Sequence, residues 1–321
     1  MVAPTPPDID LPLPVSRPSA SAADHARRTV LLGMGCMLAS AVLFTVGNAI
    51  IRFLAPTIPP VETVFFRSAF SLILLLPMVM RAGFGSLRTK RPGLHFWRGA
   101  LQVTSMLAFF QGLATTPLVE ANAIEFTAPI FATVFAVLFM GEKIHLRRIA
   151  ALIIGFAGAM IALRPGLKEI GEGQIYMLVA SIIWAGALLM IRELGKTESA
   201  LTQSVYMGLL MTPVSALLAA FVWVTPSWFE VMLLLAVGTT ATLGQLLYAQ
   251  AFRMAEMGAV LPLDFSKLFW SAFIGWLVFA DIPDLYTVIG ATVIFGAGAY
   301  ITLREARISR RPPPTEPLEP S

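Results

Sequence analysis

The chain has 321 residues, 57% of them hydrophobic and only 13% charged, with a formal net charge of +4. An ordinary soluble domain carries roughly 25% charged residues, so so few charges could not cover the surface of a soluble protein this long. The surplus apolar residues must face lipid or one another. Residues 1–28 are rich in Pro, Ser and Ala, have no apolar period, and read as a disordered tail. After that tail the chain alternates between long apolar runs and short polar connections. A hydrocarbon core of about 30 Å needs about 20 apolar residues as helix. Breaks at Pro, Gly and charges give ten candidate spans: 29–54, 60–80, 94–114, 118–140, 146–163, 173–192, 199–223, 229–252, 257–280 and 284–303. The first run is too long for a signal-peptide core. The fifth is the shortest and needs Arg147 and Arg148 to reach back to the headgroups. From 305 on, the chain is a basic and then Pro-rich tail.

Basic residues are unevenly distributed between the connections. Arg88, Lys90 and Arg91 share one loop, Lys143, Arg147 and Arg148 another, whereas alternate loops hold only Arg52, Arg164 and Lys168. That alternation predicts a multi-pass inner (plasma) membrane protein with both termini in the cytoplasm. The basic balance therefore belongs to topology, and no nucleic-acid partner is expected. The partners implied are the lipid bilayer and a small molecule, with the chain acting as a monomer or homodimer. A lone Cys36 excludes an intramolecular disulfide, and His25, His95 and His145 are scattered at helix ends or loops. No cluster has metal-ligand spacing and no Gly-rich stretch carries the Lys-Ser/Thr of a phosphate-binding loop, so no cofactor is predicted.

The chain also repeats itself. Gln111 corresponds to Gln250, Glu125-Phe126 to Asp264-Phe265, and Glu142 to Asp281, all at a shift of 139 residues. Gly158-Ala159-Met160-Ile161 corresponds to Gly298-Ala299-Tyr300-Ile301, and Ile51-Arg52 to Ile191-Arg192. Two five-helix units at 29–164 and 172–304 follow. Because five is odd, the second unit enters the membrane from the opposite side. Inverted repeats give two related conformations of similar energy, which is the structural logic of alternating access.

The stretches Val61 to Arg67, Arg98-Gly99-Ala100-Leu101, Pro117 through Ala128-Pro129 to Gly141-Glu142-Lys143, and Gly155-Phe156-Ala157-Gly158 through Arg164-Pro165-Gly166 carry a family pattern. Over residues 30–304 the sequence resembles the EamA-type family of the drug/metabolite transporter superfamily, and its first half is similar to members that take up S-adenosylmethionine. The resemblance implies an all-α membrane fold of ten helices in two five-helix domains and a carrier function, with amino acids and riboflavin also among the family's substrates.

Ionisable side chains inside a membrane are costly and usually face a cavity or a partner. Arg67, Glu125, Asp264 and Lys267 are the four that stand out. Arg67 and Glu125 lie each about 10 Å below the same membrane surface, so an ion pair between them is predicted. Asp264 and Lys267 are three apart and share a helix face, just after Pro262, which loosens the helix there. Asn48, Gln111, Gln250, Trp184 and Trp270 complete the predicted substrate contacts, while Asn122 reads as an interhelical hydrogen-bonding residue and Tyr206, Phe126 and Phe265 as core or contact aromatics. Two acids and two bases with aromatics suit an amphoteric metabolite: an amino acid, S-adenosylmethionine or a riboflavin-like ring. Either carboxylate could carry a coupling proton. A membrane receptor or membrane-embedded enzyme on the same scaffold is the alternative, but the sequence offers neither a large soluble domain nor a catalytic cluster, and no catalytic residue is expected.

Overall fold

Proline sets several of the helix starts. A Pro in the first turn lacks an N–H that would be unpaired there anyway, and its fixed φ favours the turn. A computed structural model describes residues 20–140, 146–163, 171–255, 260 and 263–309. Helices α1 (Ala20–Leu54), α2 (Pro60–Ala82) and α3 (Pro92–Thr115) come first, with a short 3₁₀ turn, Phe84–Leu87, between the last two. Next are α4 (Leu118–Glu125), α5 (Ala128–Met140) and α6 (Leu146–Leu163). The second half holds α7 (Glu172–Leu194), α8 (Ala200–Ala219), α9 (Trp228–Met254), α10 (Ser266–Phe279) and α11 (Leu285–Ser309).

Three expectations change. The helix α1 begins at Ala20, inside the segment read as a tail, because Ala20-Ser21-Ala22-Ala23 has high intrinsic helix propensity and needs no apolar period to be helical in water. At the other end α11 runs to Ser309, past the boundary at 304. The predicted fourth span, 118–140, is two helices, separated by a turn at Phe126 and Thr127. The turn follows from Pro129: with no N–H it cannot bond the carbonyl four residues back, at Glu125. The hydroxyls of Thr127 and Ser181 converge instead on the Ile124 carbonyl, at 2.6 and 3.1 Å. The ninth span is broken at the corresponding place, with Leu263 and Asp264 helical, a turn at Phe265, and α10 beginning at Ser266. Pro262, the Glu142-Lys143 loop, Arg164 and Lys168 lie outside the described residues, as do the side chains of Arg147 and Arg148.

Six helical stretches among the described residues are long and apolar enough to cross a membrane: Arg28–Leu54, Pro60–Ala82, Leu118–Phe139 (α4 and α5 taken together across their turn), Glu172–Leu194, Ala200–Ala219 and Trp228–Met254. The other predicted spans differ for local reasons. Helix α3 buries His95, Arg98 and Gln102 within its own length, which lowers its hydropathy. Helix α10 is short because the turn at Phe265 removes its first part.

The helices of one half pack on those of the other in a reciprocal pattern. The most extensive contacts join α1 to α9, α3 to α7, α6 to α11 and α2 to α8. Each is the first helix of one unit on the third of the other, or like on like, so exchanging the halves leaves the pattern unchanged. Small residues allow the closest approaches. A Cβ at Gly112 of α3 would lie 2.7 Å from the Gly173 carbonyl of α7, and one at Gly47 of α1 would lie 2.9 Å from Thr240 Oγ1 of α9. Ser40 and Ser105 add hydrogen bonds across these seams, to the carbonyls of Gly244 and Ala180. On α6, a Cβ at Gly155 would lie 2.6 Å from Ile130 of α5 and 3.5 Å from Ala297 of α11. Gly296 faces open space, with nothing within 4 Å of a Cβ built there.

At one end of the bundle Arg52, in the last turn of α1, forms a two-pronged ion pair with Asp281, its second contact being Nη2 to Oδ1 at 3.1 Å. The guanidinium also lies 4.2 Å from the Phe279 ring centroid. Asp281 is held there by its own N–H bonding the Gly275 carbonyl, after a left-handed Ala280 at φ 55°. Both side chains are about five-sixths buried, at 16% exposure each, so neutralising one leaves the other charge poorly solvated. Asp281→Asn is expected to destabilise the detergent-solubilised protein by about 1–3 kcal/mol, and Arg52→Gln with Asp281→Asn by less than either single change. Thermal unfolding followed by tryptophan fluorescence tests this; a double variant weaker than both singles would contradict it.

Candidate substrate site

The two breaks bring the repeat-equivalent acids to the middle of the bundle. Phe126 and Phe265, one residue after each acid, meet ring to ring at 4.7 Å, and Phe265 packs edge-on against Phe295 at the same distance. Asp264 is buried, and its Oδ1 lies 2.8 Å from Lys267 Nζ, the two side chains being 11% and 12% exposed. The Lys267 ammonium also faces two aromatic rings, Phe44 of α1 at 5.0 Å and Tyr248 of α9 at 5.8 Å. Cation–π contacts of this length add attraction where water is excluded. Glu125, half-buried at the end of α4, lies within electrostatic reach of both Lys267 and Asp264, and makes no ion pair of its own among the described residues. The cluster therefore holds two carboxylates and one ammonium.

A second layer fixes this cluster. Asn122, one turn before Glu125, donates from Nδ2 to Ser271 Oγ at 2.8 Å and to the Leu118 carbonyl at 2.9 Å. Ser271 in turn donates to the Lys267 carbonyl at 2.5 Å. Helix α4 is thus tied by side chains to α10, which agrees with the interhelical role expected of Asn122. On α10 itself, Trp270 carries a buried indole N–H with no acceptor among the described residues.

The expected Arg67–Glu125 ion pair does not form. Arg67 Nη1 instead contacts Met106 Sδ of α3 at 2.9 Å. Equal depth was a sound inference, but depth does not set azimuth: Arg67 points from α2 towards α3, and Glu125 from α4 towards α10. The other predicted contacts are dispersed. Asn48 and Trp184 are half-buried on α1 and α7, Gln250 is exposed on α9, and Gln111 is exposed at the end of α3, where it lines a separate cleft. Tyr206 stacks on His95 at 4.3 Å and donates to the Leu87 carbonyl, which places it in packing between α3 and α8. Sequence reasoning did not single out Phe44 and Tyr248. Their only signal was their place on α1 and α9, helices that the reciprocal packing brings together.

Comparison with known proteins agrees with this architecture. The EamA-like transporter family model matches the chain twice, over residues 31–164 and 171–303. The S-adenosylmethionine uptake transporter of Rickettsia bellii is 32% identical over 284 residues, covering 88% of this chain and 98% of that one. The riboflavin transporter of Vibrio cholerae is also 32% identical, over 88% of this chain and 96% of its own length. The pseudopaline exporter of Pseudomonas aeruginosa is 29% identical over 82% of this chain and 94% of its own. A solved crystal structure with 18% sequence identity superposes with a TM-score of 0.61, over 89% of this chain and 99% of that one, and shares the fold. With two family matches and relatives aligned nearly end to end, the chain belongs to the EamA-like transporter family.

Proposed function

We propose that this transporter is a secondary carrier for a small amphoteric metabolite bearing a cationic group, of which S-adenosylmethionine is the best fit. The observation that carries the reading is the uneven charge of the cluster between the two broken helices. Asp264 and Lys267 neutralise each other at 2.8 Å, which leaves Glu125 to take a positive group. Half-buried Arg67, whose described polar contact is a thioether, is available to a carboxylate, and the Trp270 N–H to a heterocycle acceptor. A sulfonium or ammonium, a carboxylate and a ring are the parts of S-adenosylmethionine; a riboflavin-like ring lacks the cation that Glu125 would need. The names of the relatives allow both.

The same reading places ten spans in two inverted five-helix units. The reciprocal packing of the halves supports it, as does the uneven distribution of basic residues, which puts both termini in the cytoplasm and the chain in the inner membrane. A site between symmetric halves near the middle of the bundle suits alternating access. Both halves of one chain supply the cluster, so a single copy suffices. Glu125 is the group through which a proton would be coupled.

Reconstitution tests it. Proteoliposomes are expected to accumulate labelled S-adenosylmethionine saturably, more so under an inward proton gradient, with competition from unlabelled compound and little from riboflavin. Riboflavin accumulation with no S-adenosylmethionine uptake above empty liposomes would overturn the substrate assignment.

A further inference from the structure

Asn122 of α4 is 1% exposed, and its hydrogen bonds, to Leu118 and Ser271, use only half of its amide. Which half is fixed by the partners. Ser271 gives its hydrogen to the Lys267 carbonyl at 2.5 Å, so towards Asn122 its oxygen accepts. The Leu118 carbonyl can only accept. Both bonds therefore come from Nδ2, whose two hydrogens are in use. The other end of the amide, Oδ1, is left buried with no donor among the described residues. A buried acceptor of this kind costs free energy until a donor reaches it.

The neighbours of that oxygen narrow down the donor. Asn122 and Glu125 are three residues apart on α4, which makes them neighbours on one side of the helix with Cβ atoms about 5–6 Å apart. Across from them on α10 stand Ser271 and, one turn earlier, Lys267, which is within electrostatic reach of Glu125. The lysine does not serve the amide. Its ammonium is paired with Asp264 at 2.8 Å and faces the rings of Phe44 and Tyr248.

The repeat gives a second indication. At the 139-residue shift Glu125 corresponds to Asp264, but Asn122 corresponds to Leu261 and Lys267 to Ala128. The repeat itself therefore does not call for an amide at this register. The acid that has a lysine lacks the extra acceptor, and the acid without an ion pair among the described residues has one.

We infer that Asn122 Oδ1 and the Glu125 carboxylate form one recognition element, for a primary ammonium group. A single nitrogen, at hydrogen-bond distances of about 2.9 Å from each side chain, spans two acceptors at this spacing. The carboxylate supplies the opposite charge. The amide oxygen supplies the selection, because it responds to N–H and not to charge as such. A trimethylammonium or a sulfonium brings the same charge with no N–H to donate, and burying it here leaves Oδ1 unsatisfied. Asn122 is thus a specificity-determining residue, and in S-adenosylmethionine the group at Glu125 is the α-ammonium, not the sulfonium. That substrate reaches this seam rests on the carrier reading above; the preference for N–H does not.

Ligand pairs that differ only at the nitrogen test it. Purified full-length protein is titrated with S-adenosylmethionine and its α-N,N,N-trimethyl derivative, and with 2-phenylethylamine and its N,N,N-trimethyl derivative. Affinity is read from the rise in unfolding temperature. The primary amine of each pair is expected to bind about tenfold more tightly. Asn122→Leu keeps the volume, removes the acceptor and should bring the ratio to within about twofold. A merely steric objection to the methyl groups would leave that ratio unchanged. Ser271→Ala breaks the tie between α4 and α10 but spares Oδ1, so its ratio should stay at the wild-type value. Should Asn122→Leu not fold, the wild-type ratio decides alone. Equal affinity within each pair, or a ratio that Asn122→Leu does not move, overturns the inference. Preference for 2-phenylethylamine with no binding of S-adenosylmethionine would remove the substrate assignment and leave the ammonium site standing. Preferential binding of S-adenosylmethionine without uptake in proteoliposomes would count against the carrier reading alone.

Discussion

Asp264→Asn is expected to reduce substrate uptake in proteoliposomes by about a hundredfold, with expression and membrane insertion unchanged. A hydrogen-bonded contact to a charged group is worth about 1.5–3 kcal/mol, and each 1.4 kcal/mol is tenfold. The change also leaves the Lys267 ammonium to Glu125 and the Phe44 and Tyr248 rings, so a cationic substrate would have to compete with Lys267 for that one remaining carboxylate. Lys267→Ala fails for the opposite reason, because two uncompensated acids then face each other between α4 and α10. A purely architectural ion pair makes a different forecast. If Asp264 and Lys267 only hold the helix, Asp264→Asn with Lys267→Met removes both charges together and restores uptake. If they bind and release substrate, the double variant stays inactive while its thermal unfolding matches that of the wild type. Recovered transport in the double variant would therefore remove both residues from the site. Glu125→Gln, with no ion pair to disrupt, should lose uptake of the cation with the smallest effect on unfolding of the three.

How far this site could be read from the sequence differs residue by residue. The 139-residue shift put Glu125 and Asp264 in equivalent places, and the structure brings both acids to the crossing of two broken helices. Their i, i+3 spacing placed Asp264 beside Lys267 for the same helical reason. The break itself was not visible in hydropathy, because Phe126, Thr127 and Ala128 are no more polar than their neighbours; only Pro129 signalled it, through the hydrogen bond it cannot make. Arg67 went to the wrong partner because one-dimensional depth says nothing about which way a side chain turns around its helix. The contact between Glu120 and Gln174 was missed for a related reason. Glu120 sits at the start of an apolar run, where an acid reads as a helix N-terminal charge, and its partner Gln174 is 54 residues away on a helix of the other unit. Nothing local in either segment announces the pairing.

The seam between α3 and α7 gives the second large effect. Replacing Gly112 by Val should abolish recovery of folded protein, and Gly112→Ala should lower its unfolding temperature. In an ordinary exposed helix Gly→Ala is stabilising by about 0.5–1 kcal/mol, because glycine loses more backbone freedom on folding. At Gly112 the new Cβ would stand 2.7 Å from the Gly173 carbonyl oxygen, 2.7 Å from Met177 Cγ and 2.8 Å from its Sδ. The methionine could turn away, but the carbonyl is backbone in the first turn of α7 and cannot move without separating the helices. Overpacking of this sort costs about 1–3 kcal/mol for one methyl and more for a branched side chain. Gly296 supplies the control, since a Cβ there meets nothing within 4 Å. Gly296→Ala should raise the unfolding temperature through the same backbone term that Gly112→Ala loses to collision. Opposite signs for one chemical change, at two glycines of one bundle, isolate the α3–α7 contact from helix propensity. A Gly112→Ala protein as stable as the wild type would mean that the halves need not approach so closely here.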